Sequence, residues 1–91
     1  MTDITIYTTP FCGYCAKAKG LLKRKNVTFT EVDVSDDPQQ REAMTIRAKG
    51  RTSVPQIFVG SVHVGGCDDL YALDDEGKLD PLLATSDGQP A

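Results

Sequence analysis

Cys12 and Cys15 are separated by two residues in the stretch Cys12-Gly13-Tyr14-Cys15. A thiol reacts as its thiolate, and a free cysteine is only a few per cent ionised at neutral pH. The pattern after Cys12 is helical, which places this thiol at a helix start, where unpaired N–H groups and the helix dipole favour negative charge. Cys15 falls one turn further in, close enough to attack any disulfide that Cys12 forms with another molecule. The spacing therefore suits thiol–disulfide exchange. Two other uses of such a pair are a fixed structural disulfide and half of a metal site. A third cysteine, Cys67, makes the count odd, which argues against a disulfide framework. With His63 it completes a formal Cys₃His zinc set, but cysteines at a helix start suit exchange better than a closed tetrahedron.

The elements around the thiols are legible from periodicity. Ile4-Thr5-Ile6-Tyr7 alternates and is rich in β-branched residues, predicting a strand. From Gly13 to about Lys25, Cys15, Ala18 and Leu22 share one stripe with Leu21 beside it, predicting a helix that turns Cys15 inward and leaves Cys12 accessible. Gly20 inside that helix costs up to about 1 kcal/mol relative to Ala, a cost that close packing on a sheet would justify. Residues 27–34 read as a second strand, parallel to the first through the intervening helix. Asp37, Pro38 and Gln40 form a helix start with the elements of a capping box, and that helix is expected to run to about Lys49 and stop at Gly50. Gln56–Val59 and Val62–Val64, joined by Gly60-Ser61, predict an antiparallel hairpin with a type II′ turn. Cys67–Leu73 opens a third helix with two acids in its first turn, and Asp80-Pro81-Leu82-Leu83 resembles a capped final helical turn. The order β-α-β-α-β-β-α, with Cys-x-x-Cys directly after the first strand, is the context of a thioredoxin-like redox motif.

The 91 residues suffice for one domain with a small core. Residues 1–84 are expected to form it, with 85–91, polar and containing Gly and Pro, a loose tail. A net charge of −3, with no basic patch interleaved with aromatics, excludes a nucleic-acid partner. Lys17, Lys19, Lys23, Arg24 and Lys25 crowd the first helix, and Asp68, Asp69, Asp74, Asp75 and Glu76 a later one; such runs are solvated helix faces first. No run approaches the roughly 20 apolar residues of a membrane span, and the N-terminus lacks the basic and apolar regions of a signal peptide, so a cytoplasmic protein is expected.

Three separated blocks, Cys12-Gly13-Tyr14-Cys15, Thr52-Ser53-Val54-Pro55-Gln56-Ile57-Phe58 and Gly65-Gly66-Cys67-Asp68-Asp69-Leu70, resemble the active-site, cis-proline and glutathione-binding motifs of a dithiol glutaredoxin. The resemblance spans residues 3–83. It implies an α/β thioredoxin-like fold with a central four-stranded mixed sheet flanked by helices. It also implies a glutathione-dependent thiol–disulfide oxidoreductase that reduces glutathione mixed disulfides and protein disulfides, with glutathione as co-substrate. Cys12 would be the nucleophile and Cys15 the resolving thiol. Tyr14 would flank the tripeptide. Val54, before a cis Pro55, would offer its backbone like a neighbouring strand. The helix start at Cys67 would take a carboxylate, with Asp68 or Asp69 pairing with an ammonium group. Family potentials of about −200 to −230 mV fit reduction by the glutathione pool. His63 reads as an ordinary strand residue.

Two departures matter. Many relatives have Pro where this chain has Gly13, and members with Gly there include some that bridge two protomers through a [2Fe–2S] cluster held by the first cysteine of each and by two glutathiones. The resemblance thus implies a monomer, with a cluster-bridged dimer ligated by Cys12 as the alternative; no other metal is expected. Relatives also commonly carry a lysine where this chain has Thr9, which leaves thiolate stabilisation and carboxylate binding to the helix terminus and Arg41.

Overall fold

The computed structural model describes residues 3–84; the expected tail at 85–91 lies outside them. Eight elements follow in order: β1 (Ile4–Thr8), α1 (Gly13–Arg24), β2 (Thr30–Asp33), α2 (Pro38–Arg47), β3 (Gln56–Val59), β4 (Val62–Gly65), α3 (Cys67–Asp75) and α4 (Leu79–Ala84). The strands form one mixed sheet in the order β2-β1-β3-β4. β1 and β2 are parallel, and β3 is antiparallel to both β1 and β4.

Alternation along the inner strands sends side chains to two cores. Ile4, Ile6, Ile57 and Val59 pack against Ala18, Leu21 and Leu22 of α1, Cys67 and Leu70 of α3, and Leu79 and Leu83 of α4. Tyr7 and Phe58 point to the other face, against Val34, Met44 and Ala48. α1, α3 and α4 therefore cover one face and α2 the other, and β3 is buried along its whole length. Lys25, at the C-cap of α1, reaches Asp74 at 2.6 Å and Asp80 at 3.1 Å, tying the end of α1 to α3 and α4.

The predicted elements are present, with differences at their edges. The second strand is shorter than residues 27–34. The parallel register sets Thr30 opposite Thr5, so little of β1 remains for residues 27–29 to pair with, and Val27 and Phe29 instead pack partly buried on the first core. α2 stops at Arg47, short of Lys49, because Lys49 (φ 57°) and Gly50 (φ 99°) adopt left-handed backbone and Gly50 N–H closes onto the Thr45 carbonyl at 2.8 Å. Asp37 caps α2 by accepting from Gln40 N–H at 3.1 Å, but among the described residues Gln40 returns no side-chain bond. The Gly60-Ser61 turn has its left-handed residue at Gly60 (φ 58°), as a type II′ turn requires. Gly20 is not a packing requirement: a Cβ there would meet nothing within 4 Å. The final turn is a separate helix that begins one residue early, at the buried Leu79.

Candidate active site

The loop from β1 delivers Cys12 to the head of α1. Its extended backbone (φ −103°, ψ 110°) makes it the N-cap, its carbonyl accepting from Ala16 N–H at 3.1 Å while its Sγ accepts from Cys15 N–H at 3.2 Å. A sulfur in this position does what an N-cap oxygen does, satisfying an orphan amide of the first turn. Cys12 is partly exposed, whereas Cys15 is 2% exposed, packed on the inner stripe of α1. Burial pushes the Cys15 thiol up to about 12 from an ordinary 9.0, and its hydrogen bond with the Cys12 side chain adds to the rise. Cys15 thus keeps its proton while Cys12 faces the surface. All three cysteines are free thiols.

Beside this pair lies a cleft of about 290 Å³ bounded by Tyr14, Arg51, Ser53, Val54, Pro55 and the first turn of α3, Gly66–Asp69. Three parts of the chain build it. Tyr14, 62% exposed, forms the wall next to the thiols. The Val54–Pro55 peptide bond is cis, and Pro55 is buried just before β3 begins. Among the described residues, neither the N–H nor the C=O of Val54 takes a hydrogen bond, leaving both open to a peptide-like ligand. The loop carrying Val54 is braced from below by Gln56, a fully buried polar side chain whose amide donates to Ser53 O at 3.0 Å and whose oxygen meets His63 Nε2 at 2.7 Å.

At the far wall, the first-turn amides of α3 have no intrahelical partner. Asp69 accepts from the N-cap Gly66 N–H at 2.9 Å and holds Arg51 Nη1 at 3.3 Å, so it is already engaged. Asp68 is exposed and has no hydrogen bond or ion pair among the described residues. Gly65 makes this arrangement possible. Its left-handed backbone (φ 113°) suits glycine, and a Cβ there would collide with the Asp69 carboxylate and come within 2.9 Å of Arg51.

The structure gathers Tyr14, Val54, Pro55, Cys67, Asp68 and Asp69 around one cleft beside the head of α1. Arg41 is not on its lining: it donates to Thr52 O at 3.1 Å, steadying the loop that leads to Val54. Arg51, on the lining, was not among the expected residues; its position directly before the Thr52–Pro55 block is the signal that could have found it. Cys67 packs in the first core at 5% exposure, and burial raises its thiol. The zinc set is not assembled. His63 stacks on Phe58, with ring centroids 4.7 Å apart, and bonds Gln56; no three His, Cys, Asp or Glu side chains gather to hold a metal among the described residues.

A four-stranded mixed sheet with helices on both faces, and a dithiol at the head of the first helix, defines the thioredoxin-like class of thiol–disulfide oxidoreductases. Residues 4–64 match the profile of the family described as Glutaredoxin. The chain is 53% identical over 83 residues to glutaredoxin 3 of Escherichia coli K12, an alignment covering 91% of this chain and 99% of that one. It superposes with a TM-score of 0.80 on the solution structure of a glutaredoxin from Brucella melitensis, 63% identical, covering 91% of this chain and 89% of the other. A buckwheat glutaredoxin solved in complex with glutathione superposes with a TM-score of 0.83 at 25% identity, covering 99% and 83%. The chain belongs to the glutaredoxin family. No helix among the described residues is long and apolar enough to cross a membrane.

Proposed function

We propose that the protein reduces glutathione mixed disulfides and protein disulfides at Cys12, with glutathione bound in the cleft beside Tyr14. The observation that carries this reading is that Val54, whose main chain takes no hydrogen bond among the described residues, lines the same cleft as the first turn of α3. An extended tripeptide can pair with Val54 as a strand would. Its terminal carboxylate–ammonium group then meets open helix amides and the unengaged Asp68, while Arg51 supplies a cation for a carboxylate.

In the reaction, the Cys12 thiolate attacks the glutathionyl sulfur of R–S–S–glutathione. The S–S bond breaks, R–S⁻ leaves and takes a proton, and Cys12 is left disulfide-bonded to glutathione. A second glutathione thiolate attacks that sulfur, freeing the Cys12 thiolate and oxidised glutathione. With a protein disulfide, Cys12 forms a mixed disulfide with one half and the other half leaves as thiolate. Cys15 then gives up its proton and attacks Cys12 Sγ, releasing the second thiol and leaving a Cys12–Cys15 disulfide for two glutathiones to reduce. Cys12→Ser is expected to abolish turnover of a glutathione mixed disulfide. Cys15→Ser is expected to keep it and lose protein-disulfide reduction. A Cys12→Ser enzyme that still turned over the mixed disulfide would refute this assignment.

One observation favours a second use of the same thiol. A Cβ at Gly13 would meet nothing within 4 Å, so no other part of the fold crowds the residue that follows Cys12. The chain offers a single surface thiol, so a [2Fe–2S] cluster would take Cys12 from each of two chains, with glutathione completing the set. Gly13 is the first residue of α1, and the extended backbone of Cys12 tolerates a following proline. Gly13→Pro is therefore expected to fold normally and to lose cluster formation in anaerobic reconstitution with iron, sulfide and glutathione. A colourless monomer from the unaltered chain would remove this second use.

A further inference from the structure

Cys12 lines a second cleft, of about 670 Å³, that shares no lining residue with the first; Cys12 and Gly13 border this one, and the next residue, Tyr14, borders the other. Its lining includes Pro10, Phe11, Gly13 and Ala16 together with the charged Lys19, Glu31 and Asp33. Phe11 is fully exposed and holds a left-handed backbone (φ 60°), a conformation unfavourable for a bulky side chain. Within the fold, the ring therefore gains no burial. Phe11 directly precedes Cys12 and lines the same cleft, where a bound polypeptide can cover its ring.

The charges of this lining are unequal. Lys19 and Glu31 neutralise each other at 2.9 Å, with Thr8 Oγ1 donating to Glu31 at 2.7 Å. Asp33 accepts from Ser35 N–H and faces no cation among the described residues. One negative charge is left over. With glutathione in the first cleft, the protein half of a mixed disulfide has the other side of Cys12 to lie against.

We propose that this second cleft docks the polypeptide around the substrate cysteine and selects segments with an apolar residue and a Lys or Arg beside it. The occupant is committed by continuity with Cys12 and by the surplus carboxylate of Asp33. The proposal rests on Cys12 being the nucleophile and on glutathione taking the first cleft.

The test uses three short peptides, each glutathionylated on a central cysteine, flanked by Leu and Lys, by Leu and Glu, or by Ser and Gly. For each, kcat/KM is divided by that for the mixed disulfide of cysteine and glutathione. The Leu/Lys peptide should give the highest ratio. Phe11→Asn, which keeps a residue tolerant of left-handed backbone, should lower that ratio about five- to tenfold, the effect of uncovering part of one aromatic ring; Phe11→Tyr should restore it. Asp33→Asn should remove most of the preference for Lys over Glu, at most about fivefold for one exposed charge pair. Equal ratios in the unaltered and Phe11→Asn proteins would overturn the proposal. So would an unaltered chain that sediments as a dimer beside a monomeric Phe11→Asn, which would assign the cleft to a second copy. A chain inactive even on the small mixed disulfide would overturn the reading of Cys12, and the docking with it.

Discussion

In a mixed disulfide between Cys12 and a protein, release of the protein should follow the ionisation of Cys15. Its thiol lies at about 12 in the reduced chain, three pH units above the ordinary 9.0. Once Cys12 is engaged, the hydrogen bond it shares with Cys15 is lost, but burial, the largest cause, persists and keeps the thiol raised above the ordinary 9.0. At pH 7 a thiol titrating at about 12 is about a thousandfold less ionised than one titrating at 9.0. Its thiolate is the stronger nucleophile, with a Brønsted slope of about 0.4–0.5, which recovers somewhat more than one factor of ten. The net handicap is at most about 30- to 60-fold at neutral pH. Because ionisation rises with pH, the rate should climb tenfold per unit and show no plateau below pH 9.0. A chromophoric thiol loaded on Cys12 and released in single-turnover stopped flow reads this rate, with Cys15→Ser as the blank. A rate that levels off at neutral pH would refute the link between burial and slow resolution. The same proton sets the direction of alkaline stability. It is full below pH 9.0, where the Cys15 thiol is protonated in both folded and unfolded chains, and declines as pH rises toward about 12, because only the unfolded chain ionises readily.

Gly20→Ala removes a flexible residue from the middle of α1 and adds a methyl group where nothing lies within 4 Å, so urea unfolding should show a gain of up to about 1 kcal/mol. A loss of stability would mean that the site is more crowded than its surroundings indicate. Gly65→Ala should cost about 1–2 kcal/mol from left-handed backbone alone and, by displacing Asp69 and Arg51, should raise the KM for glutathione as well. Unchanged stability together with unchanged KM would contradict both effects.

Tyr14, Val54, Pro55, Cys67, Asp68 and Asp69 were legible because they lie inside short blocks whose order along the chain is itself informative. Arg51 lies just outside a block, and its role depends on Asp69, eighteen residues away and presented by another element. Arg41 shows the opposite case. As a cation it suits a carboxylate, but α2 aims it at the Thr52 carbonyl. The pairing of Asp69 with Gly66 and Arg51 likewise separates two adjacent acids that the sequence leaves equivalent, engaging one and leaving Asp68 open.

What the sequence determined by itself is what depends on near neighbours. The inward stripe of Cys15, Ala18, Leu21 and Leu22, the Asp37 cap and the Gly60-Ser61 turn all follow from contacts within a few residues, where side-chain spacing and backbone preference act directly. Only the tertiary structure decided the length of β2, the empty space around Gly20, and the two clefts, one lined by Cys12 and the other by Tyr14. Each of these depends on where distant segments come to rest. Burial raises the Cys15 thiol only in the folded chain, so even the difference in exposure between Cys12 and Cys15 is completed by packing.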